Sequence, residues 1–157
     1  MLENCKTAKE RWGGVNDLID RWLAERQELI ILYCDLSGCS RDEESNPDSL
    51  NIQRLCQLLV DYVSAGHFEV YEQLLKEADE FNDGGLELAA SMLPKIQETT
   101  EIVLDFNDQY DSTDHEHSLL DELPSKLSLL GEALEERFVM EDKLIECLHN
   151  SHRELVA

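Results

Sequence analysis

The chain is short of basic residues, prolines and aromatic side chains, and it has no long apolar run. Of its 157 residues only 13 are Lys or Arg, against 35 Asp or Glu, for a formal charge of −22. Gripping a DNA or RNA backbone needs a basic patch that neutralises phosphates, so direct nucleic-acid binding is disfavoured on sign alone. Anionic membranes are disfavoured by the same repulsion. The longest apolar run, Leu29 to Cys34, falls far below the roughly 18 residues that a membrane-spanning helix requires. Met1 to Glu10 is mixed in charge, with no apolar segment of the kind a secretory leader carries. The five cysteines (Cys5, Cys34, Cys39, Cys56, Cys147) form no CxxC pair, which argues against zinc-finger and thioredoxin-like readings and points to a reducing cytosol. No Gly-x-Ser-x-Gly, Walker-type or Gly-x-Gly-x-x-Gly motif is present.

What remains is helical periodicity. Val15, Leu18, Ile19, Trp22, Leu23, Leu29, Ile30, Tyr33 and Cys34 recur at spacings of three and four. Gly13-Gly14 should break or kink the chain ahead of this stripe, and Gly38 should stop it. Ser40 to Ser49, containing Pro47, reads as a loop, with Asp48 or Ser49 capping the next helix. That helix carries Ile52, Leu55, Cys56, Leu59, Tyr62, Val63, Val70 and Leu74, and Ser64-Ala65-Gly66 predicts a bend or two helices meeting. After a turn at Asn82 to Gly85, a third region holds Pro94 at a kink or fresh start. Asp111 to His117 is a polar loop, and Pro124 suits the first turn of a last helix bearing Leu127, Leu130, Leu134, Phe138, Ile145 and Leu148. With no strand-like alternation, the expected fold is all-α: a single-domain helical bundle over 1–157, built on four long, partly kinked helical regions. The expected spans are about 3–12, 15–37, 50–80, 86–110 and 124–152.

Three stripes contain a polar residue where an apolar one is expected: Arg26, His67 and Glu141. Turned inward, they must be paired, because an isolated buried charge costs several kcal/mol. Arg with Glu, and His67 with a carboxylate such as Asp61, would meet that need and make a polar network through the core. The alternative is that these side chains reach the edge of the bundle and stay solvated. A carboxylate-bridged di-metal site needs two Glu-x-x-His pairs on different helices. Only Glu146-Cys147-Leu148-His149 has that spacing, and Asp114-His115-Glu116-His117 reads as a solvated turn, so no metal or cofactor is expected.

Charge is unevenly spread. Between Lys95 and Lys126 there is no Lys or Arg, while Glu98, Glu101, Asp105, Asp108, Asp111, Asp114, Glu116, Asp121 and Glu122 are all acidic. A solvated face and loop explain this run, and a docking surface for a basic partner is its competitor. The first half holds Trp22, Tyr33, Tyr62, Phe68 and Tyr71, side-chain types favoured in binding hot spots. Most of these must be core, leaving one or two for an interface.

Asp20-Arg21-Trp22-Leu23 and the segment Asp61-Tyr62-Val63-Ser64-Ala65-Gly66-His67-Phe68-Glu69-Val70-Tyr71-Glu72 resemble the Rsd/AlgQ family of anti-sigma factors. The block from Gly131 to Ile145 resembles the C-terminal block of the same family, and Glu10-Arg11-Trp12-Gly13-Gly14 is most similar to AlgQ-type members. The resemblance implies an all-helical cytoplasmic protein, not an enzyme, that binds region 4 of the principal sigma factor of RNA polymerase. It would block the −35 promoter and polymerase contacts of that region, favouring alternative sigma factors. The contact surface expected from this is Asp61, Glu69 and Glu72 facing basic side chains, with Phe68 or Tyr71 filling an apolar pocket. Arg21, Trp22, Arg26, His67 and Glu141 would support it from behind as a polar network. Two other classes stand beside this reading. One is a ligand- or stress-responsive adaptor whose polar core takes a small molecule or a second regulatory protein; the other is a carboxylate metalloenzyme.

Overall fold

In a computed structural model of the chain, residues 8–38, 49–111 and 117–156 are described. They form α1 (Ala8–Ser37), α2 (Ser49–Ala65), a π-helical turn (Gly66–Val70), α3 (Tyr71–Phe81), α4 (Gly85–Tyr110) and α5 (His117–Leu148). A 3-10 turn (Asn150–His152) and the short α6 (Arg153–Val156) follow. No strand occurs among the described residues, and the fold is an all-α bundle as the periodicity requires.

On α1, α2 and α5 the core draws mainly on the stripes read from the sequence, and α4 adds a face that was not read there. Val15, Ile19, Trp22, Leu29 and Leu36 of α1 meet Ile52, Leu55, Leu59 and Tyr62 of α2, all buried. Ile96, Val103, Phe106 and Tyr110 of α4 pack on Leu123, Leu127, Leu130 and Leu134 of α5. Each such side chain contributes about 1.5–3 kcal/mol when fully buried. α4 and α5 run antiparallel, since Tyr110 bonds Leu119 O and Arg137 bonds Ile96 O.

Three helix boundaries differ from expectation, each because tertiary contacts override a local signal. α1 runs through Gly13-Gly14 without a break. Glycine is compatible with helical dihedrals at a cost of about 1 kcal/mol, and here it is flanked by anchored residues: Trp12 donates its indole N–H to His149 O at 3.0 Å, and Val15 is buried. α4 runs on through Pro94, which excludes the fresh helix start that was one of the two expectations there. Proline leaves the carbonyl four residues earlier without its helical donor, and Ala90 and Pro94 both lie on the exposed face, where water can take that role. α5 starts seven residues before Pro124, at His117, because Leu119, Leu120 and Leu123 already pack on the core.

Gly38 follows α1 at φ 87°, the left-handed stop expected there. The chain turns between α3 and α4 through Asn82 at φ 48° and Gly84 at φ 95°. The predicted Ser40–Ser49 loop with its Asp48 or Ser49 cap, Cys5 and Cys39, and most of the Asp111–His117 loop lie outside the described residues, as do residues 3–7 of the first expected span. Described Cys56 and Cys147 are free thiols, and burial pushes the Cys56 thiol up to about 12, so it serves as a small apolar side chain.

Candidate protein-binding surface and its buried support

The break predicted at Ser64-Ala65-Gly66 is resolved as one π turn between two α-helical segments. A π turn inserts one residue into the helix and redirects the side chains beyond it, and such turns concentrate at functional sites. Glycine is needed here for close approach. A Cβ on Gly66 would lie 3.1 Å from Trp22 Cζ2 and 3.3 Å from the Tyr71 ring. The turn throws Phe68 into solvent at 76% exposure, with Glu69 exposed beside it.

Asp61 of α2 and Glu72 of α3 are also exposed, and Glu72 makes an i,i+4 pair with Lys76 at 3.8 Å. Glu25 of α1 completes an acidic rim that the sequence reading did not include. Burial and the nearby charges of Asp61, Glu69 and Glu28 hold its carboxyl above the ordinary value, with Arg21 opposing. A notch of about 160 Å³ opens between α1 and the turn, lined by Leu18, Arg21, Trp22, Glu25, Ala65 and Glu69. The acidic run of α4 (Glu98, Glu101, Asp105, Asp108) is solvent-exposed, while Asp114 and Glu116 lie outside the described residues.

Beneath this surface runs the polar network. Glu141 is fully buried on α5, and four donors converge on its two oxygens. The Tyr62 hydroxyl at 2.6 Å and Arg26 Nη2 at 3.4 Å donate to Oε1, and Arg137 Nε at 3.2 Å and the Tyr71 hydroxyl donate to Oε2. Burial pushes the Glu141 carboxyl up, and Arg137, the two tyrosine hydroxyls and Arg26 oppose that shift. A protonated acid would bring a fifth hydrogen into a site already supplied by donors, so the carboxylate is the form the geometry serves. Burial and the Glu141 charge in turn push both tyrosine hydroxyls far above their ordinary value, keeping them neutral donors.

Arg137 is the second centre. Its side chain is wholly buried and donates to Glu141, to Thr99 Oγ1 at 3.1 Å, to Thr100 Oγ1 at 2.7 Å and to the Tyr71 hydroxyl at 3.0 Å. Arg26 also donates to the Tyr62 hydroxyl at 3.0 Å and pairs with exposed Asp142, its guanidinium lying 4.6 Å from the Phe138 ring centre. Trp22 donates to Tyr62 O at 3.0 Å and stacks on the Tyr62 ring at 4.7 Å. The network therefore ties α1, α2, α3, α4 and α5 together behind the turn.

The sequence-derived site residues sort cleanly. Arg26, Glu141, Trp22 and His67 belong to the network, whereas Asp61, Phe68, Glu69 and Glu72 lie on the surface. Tyr71 was expected as a candidate surface anchor, but it is only 4% exposed. Its hydroxyl is consumed by Glu141 and Arg137, which leaves Phe68 as the exposed aromatic of the two. Arg21 was expected in the network, yet it is exposed and bonds Asp17 O at 3.4 Å, because its position on α1 faces away from α5. The pairing of His67 with Asp61 is also corrected. His67 Nε2 meets Thr100 Oγ1 at 2.9 Å, on α4.

Sequence reasoning missed Arg137, Thr99 and Thr100, although Arg137 stands four residues before Glu141 and three after Leu134, on the same stripe. It also missed a second cluster at the end of the bundle. There His149 Nδ1 meets both Glu77 oxygens at 2.9 Å, its Nε2 meets Asn16 Oδ1 at 3.1 Å, and its ring stacks on Trp12 at 4.3 Å. His152 Nε2 meets Asp83 at 2.7 Å, with its ring stacked on Phe81 at 3.9 Å. Both nitrogens of His149, the histidine of the single Glu-x-x-His, are thus engaged within the fold. Among the described residues no group of three or more His, Cys, Asp or Glu is arranged to hold a metal ion. No described helix is long and apolar enough to cross a membrane.

Fold and site together define an all-helical module that presents one exposed aromatic in an acidic field, backed by a rigid ionic core. Comparison with known proteins makes the class specific. The model of the family described as "Regulator of RNA polymerase sigma(70) subunit, Rsd/AlgQ" matches residues 1–149, and the chain belongs to this family. The protein named "Regulator of sigma D" from Salmonella paratyphi B (strain ATCC BAA-1250 / SPB7) is 38% identical over 159 aligned positions, covering 98% of this chain and 97% of that protein. Its namesake from Yersinia pseudotuberculosis serotype O:1b (strain IP 31758) is 34% identical over 148, covering 93% and 88%.

Proposed function

We propose that this chain regulates transcription by binding the principal sigma factor through region 4, as a stoichiometric occluder in the cytoplasm and without catalysis. The observation that carries the reading is Phe68, exposed on the π turn within the field of Asp61, Glu69, Glu72 and Glu25. A DNA-binding domain is basic, and an acidic surface with an apolar centre is its electrostatic and steric complement. Occupying such a domain sets this protein in competition with promoter phosphates. Family membership supports the target, and the surface supports the mode of contact.

The test is co-purification with full-length sigma and with sigma lacking region 4. Retention of the first and loss of the second is expected, and equal retention of both would overturn the placement on region 4. Phe68→Ala should weaken the complex by at least about 1 kcal/mol by calorimetry. Unchanged affinity after Asp61→Lys, with the fold intact by circular dichroism, would move the contact surface elsewhere.

A further inference from the structure

His67 is the one member of the network that also belongs to the exposed turn. It precedes Phe68, is half-buried, and reaches across to α4, where its Nε2 lies 2.9 Å from Thr100 Oγ1. That oxygen is shared. It lies 3.2 Å from Ile96 O of its own helix and accepts an N–H from Arg137 at 2.7 Å. Only a single hydroxyl therefore separates the imidazole from a fully buried guanidinium. A neutral ring fits either way, as donor to Thr100 or as acceptor of its hydrogen.

A protonated ring meets different surroundings. From α5 the charge that acts on it is Arg137; α4 offers the neutral Thr99 and Thr100, and α3 the neutral Tyr71, whose ring stands edge-on at 5.1 Å. From α1 it is the apolar ring of Trp22 that packs at the base of the turn. Glu69, two residues on, acts on Glu25 of α1, across the turn from α4. Inside the network two guanidiniums already share one buried carboxylate, Glu141, whose oxygens are fully taken. A third cation would therefore meet an excess of positive charge there rather than a free carboxylate.

We propose that His67 is a positioning residue that gates the partner surface. Neutral His67 pins the π turn to α4 and holds Phe68 in place, and protonation sets a second cation against Arg137 and releases the turn. This rests on the sigma-binding surface proposed above and adds its regulation by proton concentration. Burial and the Arg137 charge hold the ring below its ordinary value of 6.5, consistent with a neutral ring in the pinned form. The sign follows from linkage. If the binding-competent form carries one proton fewer, affinity falls about tenfold per pH unit below the midpoint of His67.

The experiment is calorimetric titration of the full chain with full-length principal sigma factor between pH 7.5 and pH 5, for the parent and for His67→Gln. Glutamine keeps a donor and an acceptor but cannot be charged. The parent should lose affinity with that slope as pH drops. The variant should be flatter, retaining only the shallower contribution of the acidic rim, which both proteins share. Equal slopes in the two proteins would overturn the proposal. A second arm needs no partner: amide-exchange protection factors at His67 to Tyr71, followed against the ring proton shifts of His67. In the parent, protection should fall with the midpoint of the ring while Leu55 and Val103 stay protected; in the variant it should not fall. A ring that titrates with the turn still protected also overturns the gate. If sigma fails to bind at pH 7.5, the binding reading fails, and the exchange arm still decides the gate.

Discussion

The bundle buries polar groups in two places, and they are built from different chemistry. The central network pairs guanidiniums with a carboxylate, and arginine stays charged at any pH a cell meets. The cluster at the bundle end pairs the imidazole of His149 with Glu77 and that of His152 with Asp83. The first has its charges fixed and its donors saturated, which suits a support behind a contact surface. The second holds α1, α3 and the end of α5 together around Glu77, whose carboxyl burial keeps above its ordinary value, so that its charge is conditional. The same fold thus backs the acidic turn with permanent charge and closes one end with conditional charge.

The largest effect should come from breaking the central network. Arg137→Met leaves Glu141 buried with fewer partners and should cost about 3–5 kcal/mol in chemical denaturation. A loss below about 1 kcal/mol would mean that Arg26 alone suffices to neutralise the carboxylate. Next comes the end cluster. Glu77→Ala strips His149 Nδ1 of its acceptor and should cost about 1–3 kcal/mol.

The conditional character of that cluster is tested by Glu77→Gln. Burial holds the Glu77 carboxyl above its ordinary 4.5, with Glu80 adding and His149 and His152 opposing. The folded state therefore keeps a proton that the unfolded chain gives up sooner. The stability this confers is complete below the unfolded value and is lost as pH rises through the folded one. Glutamine carries no such proton, so the variant should gain on the parent as pH climbs from about 4 to about 8. A difference in denaturation midpoint that stays constant over that range would sink the argument. The smallest effect belongs to an ion pair outside both clusters. Arg11 pairs with Glu80 at the surface, and Arg11→Ala should change stability by about 0.2–1 kcal/mol, less at high salt.

Much of this fold is legible in the sequence, because burial at spacings of three and four leaves a direct trace in residue type. The stripes through Leu29, Leu55, Tyr62 and Leu130 are core, and Arg26 and Glu141 stand out because they interrupt such stripes. Arg137 is harder to see. It sits in Glu135-Glu136-Arg137, which reads as solvated charge, and only its spacing to Glu141 marks it as internal. Gly13-Gly14 and Pro124 mislead for a related reason: a local breaker is worth on the order of 1–3 kcal/mol, which packing along a helix of 30 residues or more can outweigh. Of the candidate surface, Phe68 is legible as an aromatic beside acidic residues. The exclusion of Tyr71 is not, because it depends on the extra residue of the π turn, which shifts every later side chain around the axis.

The contact between Trp12, Asn16 and His149 also bears on how the chain is made. A ribosome releases α1 long before the residues that complete its packing. The indole N–H of Trp12 waits for a carbonyl more than a hundred positions later, and Arg26 waits nearly as long for Glu141. Through most of synthesis the first helix can cover its apolar stripe only with α2, and its cation lacks its buried carboxylate. Assembly of this bundle is therefore a late event, concentrated in the moments after α5 clears the exit tunnel. Until then the nascent chain depends on its own surplus of negative charge, or on a chaperone, to stay apart from its neighbours.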